Sequence, residues 1–278
     1  MIKKIISLAL VLVLGAGILI LAVPSMSFAA GGEDSARDIV EKVDEAFGEV
    51  ESVYQGLRNL ISEEIAAYDS DDGHEYGAAE VVAVLSVLSG YGMKIRTLLS
   101  DLDGLTDDAD TSEGKTVRAA REYLTLLLNL TTDLSELLGY ALELSAALDS
   151  MASLYEEAET YQGYAQMISD VADNAIEALN MIDTPSYLVI SHGDLVLRIT
   201  ELRDFADDYY SAAELEDPLR LYSCQYRYNR ILRMFEICYD NLDEDLHLQV
   251  RQTEHRLEGP IALIHDELTH NLAVLANG

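Results

Sequence analysis

Tryptophan is absent from the 278 residues, phenylalanine and proline occur four times each, and cysteine twice. Without tryptophan and with so little phenylalanine, a sugar-stacking platform is disfavoured, although 16 tyrosines still supply flat aromatic area. No proline falls between Pro24 and Pro185, so nothing in that stretch forces a helix to stop. Positive charge is scarce as well. Lysine and arginine number 18 against 50 aspartates and glutamates, a net charge of −32, and no lysine follows Lys115. Such a field repels nucleic acids and anionic lipid surfaces, so no nucleic-acid partner is expected, and a membrane only through an uncleaved N-terminal segment or pore formation. It suits a surface that stays hydrated in concentrated salt, and equally one with ordinary extracellular solubility. High charge by itself suggests disorder, but 49% hydrophobic residues in regular spacing argue against it.

Signatures of catalysis are missing too. There is no glycine-rich phosphate loop, no Gly-x-Ser-x-Gly turn and no Cys-x-x-Cys-His, so the chain is not expected to be an enzyme or to carry a cofactor. Cys224 and Cys238 lie in one segment that reads as helix, where fourteen residues correspond to about 21 Å. A disulfide needs Cα atoms within about 7 Å, so the two cannot pair inside one straight helix. They read as small buried apolar side chains, the alternative being a bridge between two copies of the chain.

What is present begins with a leader. Lys3 and Lys4 precede an uncharged run from Ile5 to Val23, and Ser27-Phe28-Ala29 follows with small residues in the cleavage positions. Residues 1–29 therefore read as a secretory signal peptide, and if uncleaved the 19-residue run is long enough to act as a membrane anchor. The expected location is outside the cytoplasm, and residues 30–278 read as one extended domain. The leader's two lysines count among the 18 basic residues, so 16 face all 50 acidic ones in the remainder, a net of −34.

Through that remainder, apolar residues recur at steps of three and four, which keeps one helix face toward a partner. Ile39, Val43, Ala46, Val50, Val53, Leu57 and Leu60 predict a helix over 35–67, with Ser35 and Asp38 resembling a capping box. The segment 77–102 is apolar nearly all round and is expected at the centre of a bundle, with Gly90 and Gly92 weakening it or permitting close contact. Between Glu80 and Lys94 it has 13 uncharged residues, short for a membrane span. From Val117 through Leu124, Thr131, Leu138 and Leu148 to Tyr155 the seam misses no step, and helix can continue to Ile182, as one rod bent near Gly163 or as two. Thr184-Pro185 and Asp217-Pro218 each mark a helix start. The seam from Leu246 stays in phase across Gly259-Pro260 to Leu275, which predicts a kink there rather than a reversal. Only Tyr187–Ile190 alternates like a strand.

Few constellations could carry chemistry. Glu244/His247 and Glu267/His270 have the Glu-x-x-His spacing of ferritin-like di-iron proteins, but in one kinked helix their histidines stand about 34 Å apart. No metal site is expected from them, because such pairs arise by chance in so acidic a chain. Asp69, Asp71, Gly73, Glu75 and Glu80 are similar to a calcium loop, but His74 stands where the turn glycine is needed, and the acidic run Asp107, Asp108, Asp110 and Glu113 lacks the pattern. His192 lies on an apolar seam and reads as a hydrogen-bonded core residue, while His255 and His265 have no evident partners.

The charge reverses between Pro218 and Tyr239, where Arg220, Arg227, Arg230 and Arg233 face Glu236 alone. At 100° per residue, Tyr222, Tyr226, Arg230 and Arg233 share the face opposite the cysteine seam and form the candidate binding site. Tyrosine and arginine offer flat apolar area with a polar end. In the bland alternative these arginines pair with carboxylates on neighbouring helices.

The expected fold is all-α, an elongated antiparallel bundle of five or six long helices with coiled-coil-like seams, the first two forming a hairpin. Its expected role is that of an exported interaction or structural module, with a protein partner or self-association. The long helices and the apolar segment 77–102 together resemble the secreted α-helical pore-forming toxins, a resemblance of architecture without a shared motif. That family implies membrane activity. A ligand-sensing bundle of a membrane-anchored receptor would need the first segment retained as an anchor.

Overall fold

A computed structural model of the chain describes residues 36–68, 78–105, 111–155 and 160–277. The leader, Ser35 and most of the two acidic loops lie outside these residues. Among the described residues there is no strand, Tyr187–Ile190 included, and the fold is an all-α bundle of helices. The helices are α1 (Ala36–Tyr68), α2 (Ala78–Asp103), α3 (Ser112–Leu148), α4 (Tyr161–Met181), α5 (Val189–Glu214), α6 (Pro218–Arg256) and α7 (Ala262–Asn277). They divide into two compact units. One is Leu137–Gln249, and the other holds residues 36–136 with 250–277, the boundaries falling inside α3 and α6.

In the second unit, all seven seam residues of α1 from Ile39 to Leu60 are buried. α1 and α2 pack as the expected hairpin, Tyr91 lying against Gly56 at symmetrical distances from the connection. The space at Gly56 is taken by the end of the Tyr91 side chain; a Cβ on Gly90 would meet nothing, and one on Gly92 only ordinary contacts. α2 departs from the central position expected of it. It buries Val81, Val84, Leu88, Ile95, Leu98 and Leu102, a single seam, while Val82 is 53% and Met93 61% exposed. Its composition is apolar all round, but only one stripe meets neighbours. The end of α2 is closed from afar, since the Arg121 guanidinium of α3 donates to the carbonyls of Leu102 and Leu105, the latter at 2.9 Å. Those carbonyls have no partner within a helix, and a cation complements the negative helix end.

The long seam of α3 is buried from Val117 to Leu148 except for half-buried Ser145. At Asp149 the helix tightens into a 3-10 segment reaching Tyr155. Here three residues make a turn, so the buried side chains fall at steps of three, Leu148, Met151 and Leu154, and Ala152 is exposed. α4 is a separate helix, started by Thr160, whose hydroxyl accepts from the Gly163 amide at 3.0 Å. Among the described residues the stretch 115–182 therefore holds two α-helices, the first continued by the 3-10 segment, without a bend at Gly163.

α5 begins at Val189, later than Thr184-Pro185 suggests. The Thr184 hydroxyl points back to the Ile182 carbonyl at 3.4 Å, and Pro185 opens a turn closed by the Leu188 amide at 2.8 Å. The helix ladder starts with the bond from the His192 amide to Leu188. Further along, the chain from α6 to α7 passes Leu257–Ile261 as a π turn containing Pro260, with Leu257 and Ile261 both buried. The Gly259-Pro260 signal thus interrupts the helix without reversing it.

Candidate functional site

The unit formed by Leu137–Gln249 carries the candidate face on α6. α5 ends in a Schellman motif, in which the Glu216 amide bonds the Ala213 carbonyl at 3.1 Å and the Asp217 amide bonds that of Ala212 at 3.3 Å. This places Glu216 at φ 50°, the left-handed region that glycine normally fills. α6 then starts at once. Asp217 Oδ1 accepts from the amides of Leu219 at 3.0 Å and Arg220 at 3.2 Å, and Pro218 occupies the first helical position, where no N–H is needed. The Asp217-Pro218 signal read from the sequence holds.

α6 runs antiparallel to α5, shown by three contacts in reverse order: Arg227 with Asp208, Arg198 with Cys238, and Ser191 with Asp245. Its inner face is tied by an aromatic cluster. Phe205 stacks on Tyr209 at 5.6 Å and meets Tyr228 at 5.6 Å, and the Tyr164 hydroxyl, which donates to the Leu154 carbonyl at 3.0 Å, lies 3.0 Å from that of Tyr228. Cys238 is buried and Cys224 half-buried, and both are free thiols. Burial pushes both thiols up, further from the reactive thiolate, although the Arg198 guanidinium beside Cys238 pulls the other way.

The outer face differs. Tyr222 and Tyr226 are 76% and 74% exposed, and Arg230 and Arg233 are exposed with them. Leu219, 83% exposed, and Ile237, 43% exposed, extend the same face in the two directions. Sequence reading missed these two, although the same 100° arithmetic places them within the stripe. The four arginines of this half-helix divide in two. Arg227 bridges to Asp208 and lies over the Phe205 ring at 5.8 Å, and Arg220 lies 3.8 Å from the capping Asp217. Among the described residues no carboxylate pairs with Arg230 or Arg233. The bland alternative therefore accounts for Arg227 and not for the two arginines of the candidate face.

Other sequence candidates take structural places. His192 is buried between Tyr140, whose hydroxyl lies 2.9 Å from Nδ1, and the Leu179 carbonyl. Burial holds the ring's pKa below the ordinary histidine value, with the carbonyl opposing, so the neutral form is favoured. Among the described residues no group of three or more potential ligands could hold a metal, around the two Glu-x-x-His pairs or elsewhere.

In the second unit, His265 has the partners the sequence did not reveal. Its Nε2 lies 2.9 Å from Glu51 Oε2, and its ring stacks on Tyr54 at 5.0 Å beside Phe47 and Tyr123. Burial raises the Glu51 pKa, but hydrogen bonds from Gln55 and His265 outweigh it and the net shift is downward. A groove of about 280 Å³ lies between the start of α3 and α7, where Lys115 and Arg118 are accompanied by Glu122 and Glu267. The mixed signs leave no net preference for an anion. Comparison with protein-family models, curated proteins and solved structures finds no match to this chain.

Proposed function

We propose that this protein is an exported interaction module that docks a protein partner on the outer face of α6. The observation supporting this is the stripe of Leu219, Tyr222, Tyr226, Arg230, Arg233 and Ile237. It is exposed along its whole length and holds two arginines that pair with no carboxylate among the described residues, in a chain of net charge −32. Solvated faces in so acidic a chain are expected to carry carboxylates. Here the composition runs the other way, toward the tyrosine and arginine that dominate binding energy at protein interfaces. The face consists of rigid aromatic surface and charged forks with no reactive group among them, which suits binding.

A photo-crosslinking amino acid at Tyr226, in the chain expressed by the cells that make it, tests this reading. The expected result is a discrete adduct at 226 and none with the same probe at exposed Asn174 of α4. No adduct above that control at 226 would remove the proposal.

A second reading, membrane activity, has one observation in its favour. Among the described residues α2 is the one helix long and apolar enough to cross a membrane, over Val81–Asp103. Its single buried seam is also what an ordinary bundle helix shows. Dye release from neutral liposomes would support membrane activity, and intact liposomes would leave the docking module alone.

A further inference from the structure

We infer that the partner on the outer face of α6 is a second copy of this chain, docked antiparallel about a two-fold axis that crosses the outer face at the level of residue 228. This rests on the reading of that face as a docking surface and goes on to identify what covers it. The stripe advances by steps of three, four and four residues, then three and four. Eleven residues in three turns is 3.67 per turn, close to the natural period of the helix, so the stripe runs almost straight along α6. From Leu219 to Ile237 it spans about 27 Å.

Chemically, the stripe is complementary to its own reverse. When α6 faces an antiparallel copy, Leu219 lies opposite Ile237, Tyr222 opposite Arg233, and Tyr226 opposite Arg230, because the residue numbers in each pair add to 455 or 456. Every guanidinium then meets a tyrosine ring, and apolar side chains close both ends. Two other arrangements bring like charges together. A parallel pair stacks Arg230 on Arg230 and Arg233 on Arg233. An antiparallel pair shifted to centre on Arg233 puts that residue against its own copy. Among antiparallel registers of the stripe, the one whose numbers add to 455 or 456 places a tyrosine ring opposite both guanidiniums, and a two-fold pairing closes on itself without growing into a filament.

The pair is expected to be weak. A strip of this length, one helix wide, buries roughly 1,000 Å² in total, the lower bound for a specific interface. Two chains of net charge −32 also repel one another at a distance. Salt relieves that repulsion, since the screening length falls from about 10 Å at 0.1 M to about 3 Å at 1 M, while contacts between touching Tyr and Arg groups are less affected. Self-association should therefore strengthen with salt, opposite to pairing driven by net opposite charge.

Sedimentation equilibrium of the exported chain tests this at 0.1 M and 1 M sodium chloride. The expected result is a monomer–dimer equilibrium in the micromolar range that tightens about threefold or more at high salt. Arg230→Gln with Arg233→Gln should weaken it by about tenfold while helicity by circular dichroism stays unchanged. For the register, Leu219→Cys and Ile237→Cys chains, each also carrying Cys224→Ala and Cys238→Ala, are mixed and oxidised. A disulfide between the two kinds of chain is expected, with none when Leu219→Cys is oxidised alone. A Leu219→Cys homodimer would overturn the register. Monomer at every concentration and salt would overturn self-pairing. In that case an adduct from position 226 to a different protein would leave the docking face standing, and its absence would remove both.

Discussion

Gly48 and Gly56 sit on the same helix, α1, and should respond in opposite directions to the same substitution. An alanine is favoured over glycine inside a helix by about 1 kcal/mol, because glycine loses more backbone freedom on folding. At Gly48 nothing lies within 4 Å of where the new Cβ would be, so Gly48→Ala should raise stability by about that amount. At Gly56 the Cβ would stand 2.9 Å from Cζ of Tyr91 and closer still to its hydroxyl oxygen. The ring must move, and forcing extra volume into a packed contact costs about 1–3 kcal/mol. Net of the helix gain, Gly56→Ala should change stability by between about 0 and −2 kcal/mol, and the two variants should differ by about 1–3 kcal/mol. Urea denaturation followed by circular dichroism measures both on one scale. Tyr91→Ala supplies the control, because in its background the two glycines should behave alike. Equal stabilisation by Gly48→Ala and Gly56→Ala in the unaltered chain would refute the claim that helix contact at Gly56 is closed by Tyr91.

Two further outcomes follow from local geometry. Glu216→Gly should stabilise the chain by about 1 kcal/mol, because it relieves a left-handed residue at φ 50° and removes a carboxylate from the negative end of α5; an unchanged urea midpoint would contradict this. His192 has a folded pKa below the unfolded value of about 6.5, so as pH falls through 6.5 the unfolded chain takes up a proton first. Stability is therefore lost on the acid side, by at most about 1.4 kcal/mol per pH unit for this group. Thermal melts from pH 7 to 5 should show a shallower slope for His192→Gln, and equal slopes would exclude the assignment.

The seams were legible because burial imposes them. A helix with one face against neighbours keeps its apolar residues at steps of three and four, and from Ile39 to Leu60 or Val117 to Leu148 no other pressure overrides that spacing. Where the helix changes type, the code changes too. After Leu148 the steps of three through Met151 and Leu154 carry the burial, yet Ala152 and Tyr155 continue the steps of three and four equally well in one dimension. Thr184-Pro185 shows the same limit in a cap signal. Proline sets its own φ and opens a turn, but whether that turn is the first of a helix or a separate one before it depends on Leu188, which is buried and serves as the helix boundary without a polar side chain.

Contacts between elements leave a different kind of trace. Arg121 closing α2, Tyr91 against Gly56, and His265 beside Glu51 across 214 residues join positions whose spacing obeys no period. Single side chains reaching another helix have no reason to repeat, so no windowed reading finds them. The face of α6 lies between these cases. Tyr222, Tyr226, Arg230 and Arg233 were placed together by rotation angle alone, since a surface stripe on one helix is periodic whether it faces a core or solvent. The same periodicity cannot say which stripe is outward. That is fixed by the partners of the opposite face, where Arg227, Tyr228 and Cys238 meet α5 and turn Arg230 and Arg233 away from it. The outer stripe follows the period of its own helix whether or not anything covers it, so the same spacing marks a face used in folding and one left exposed.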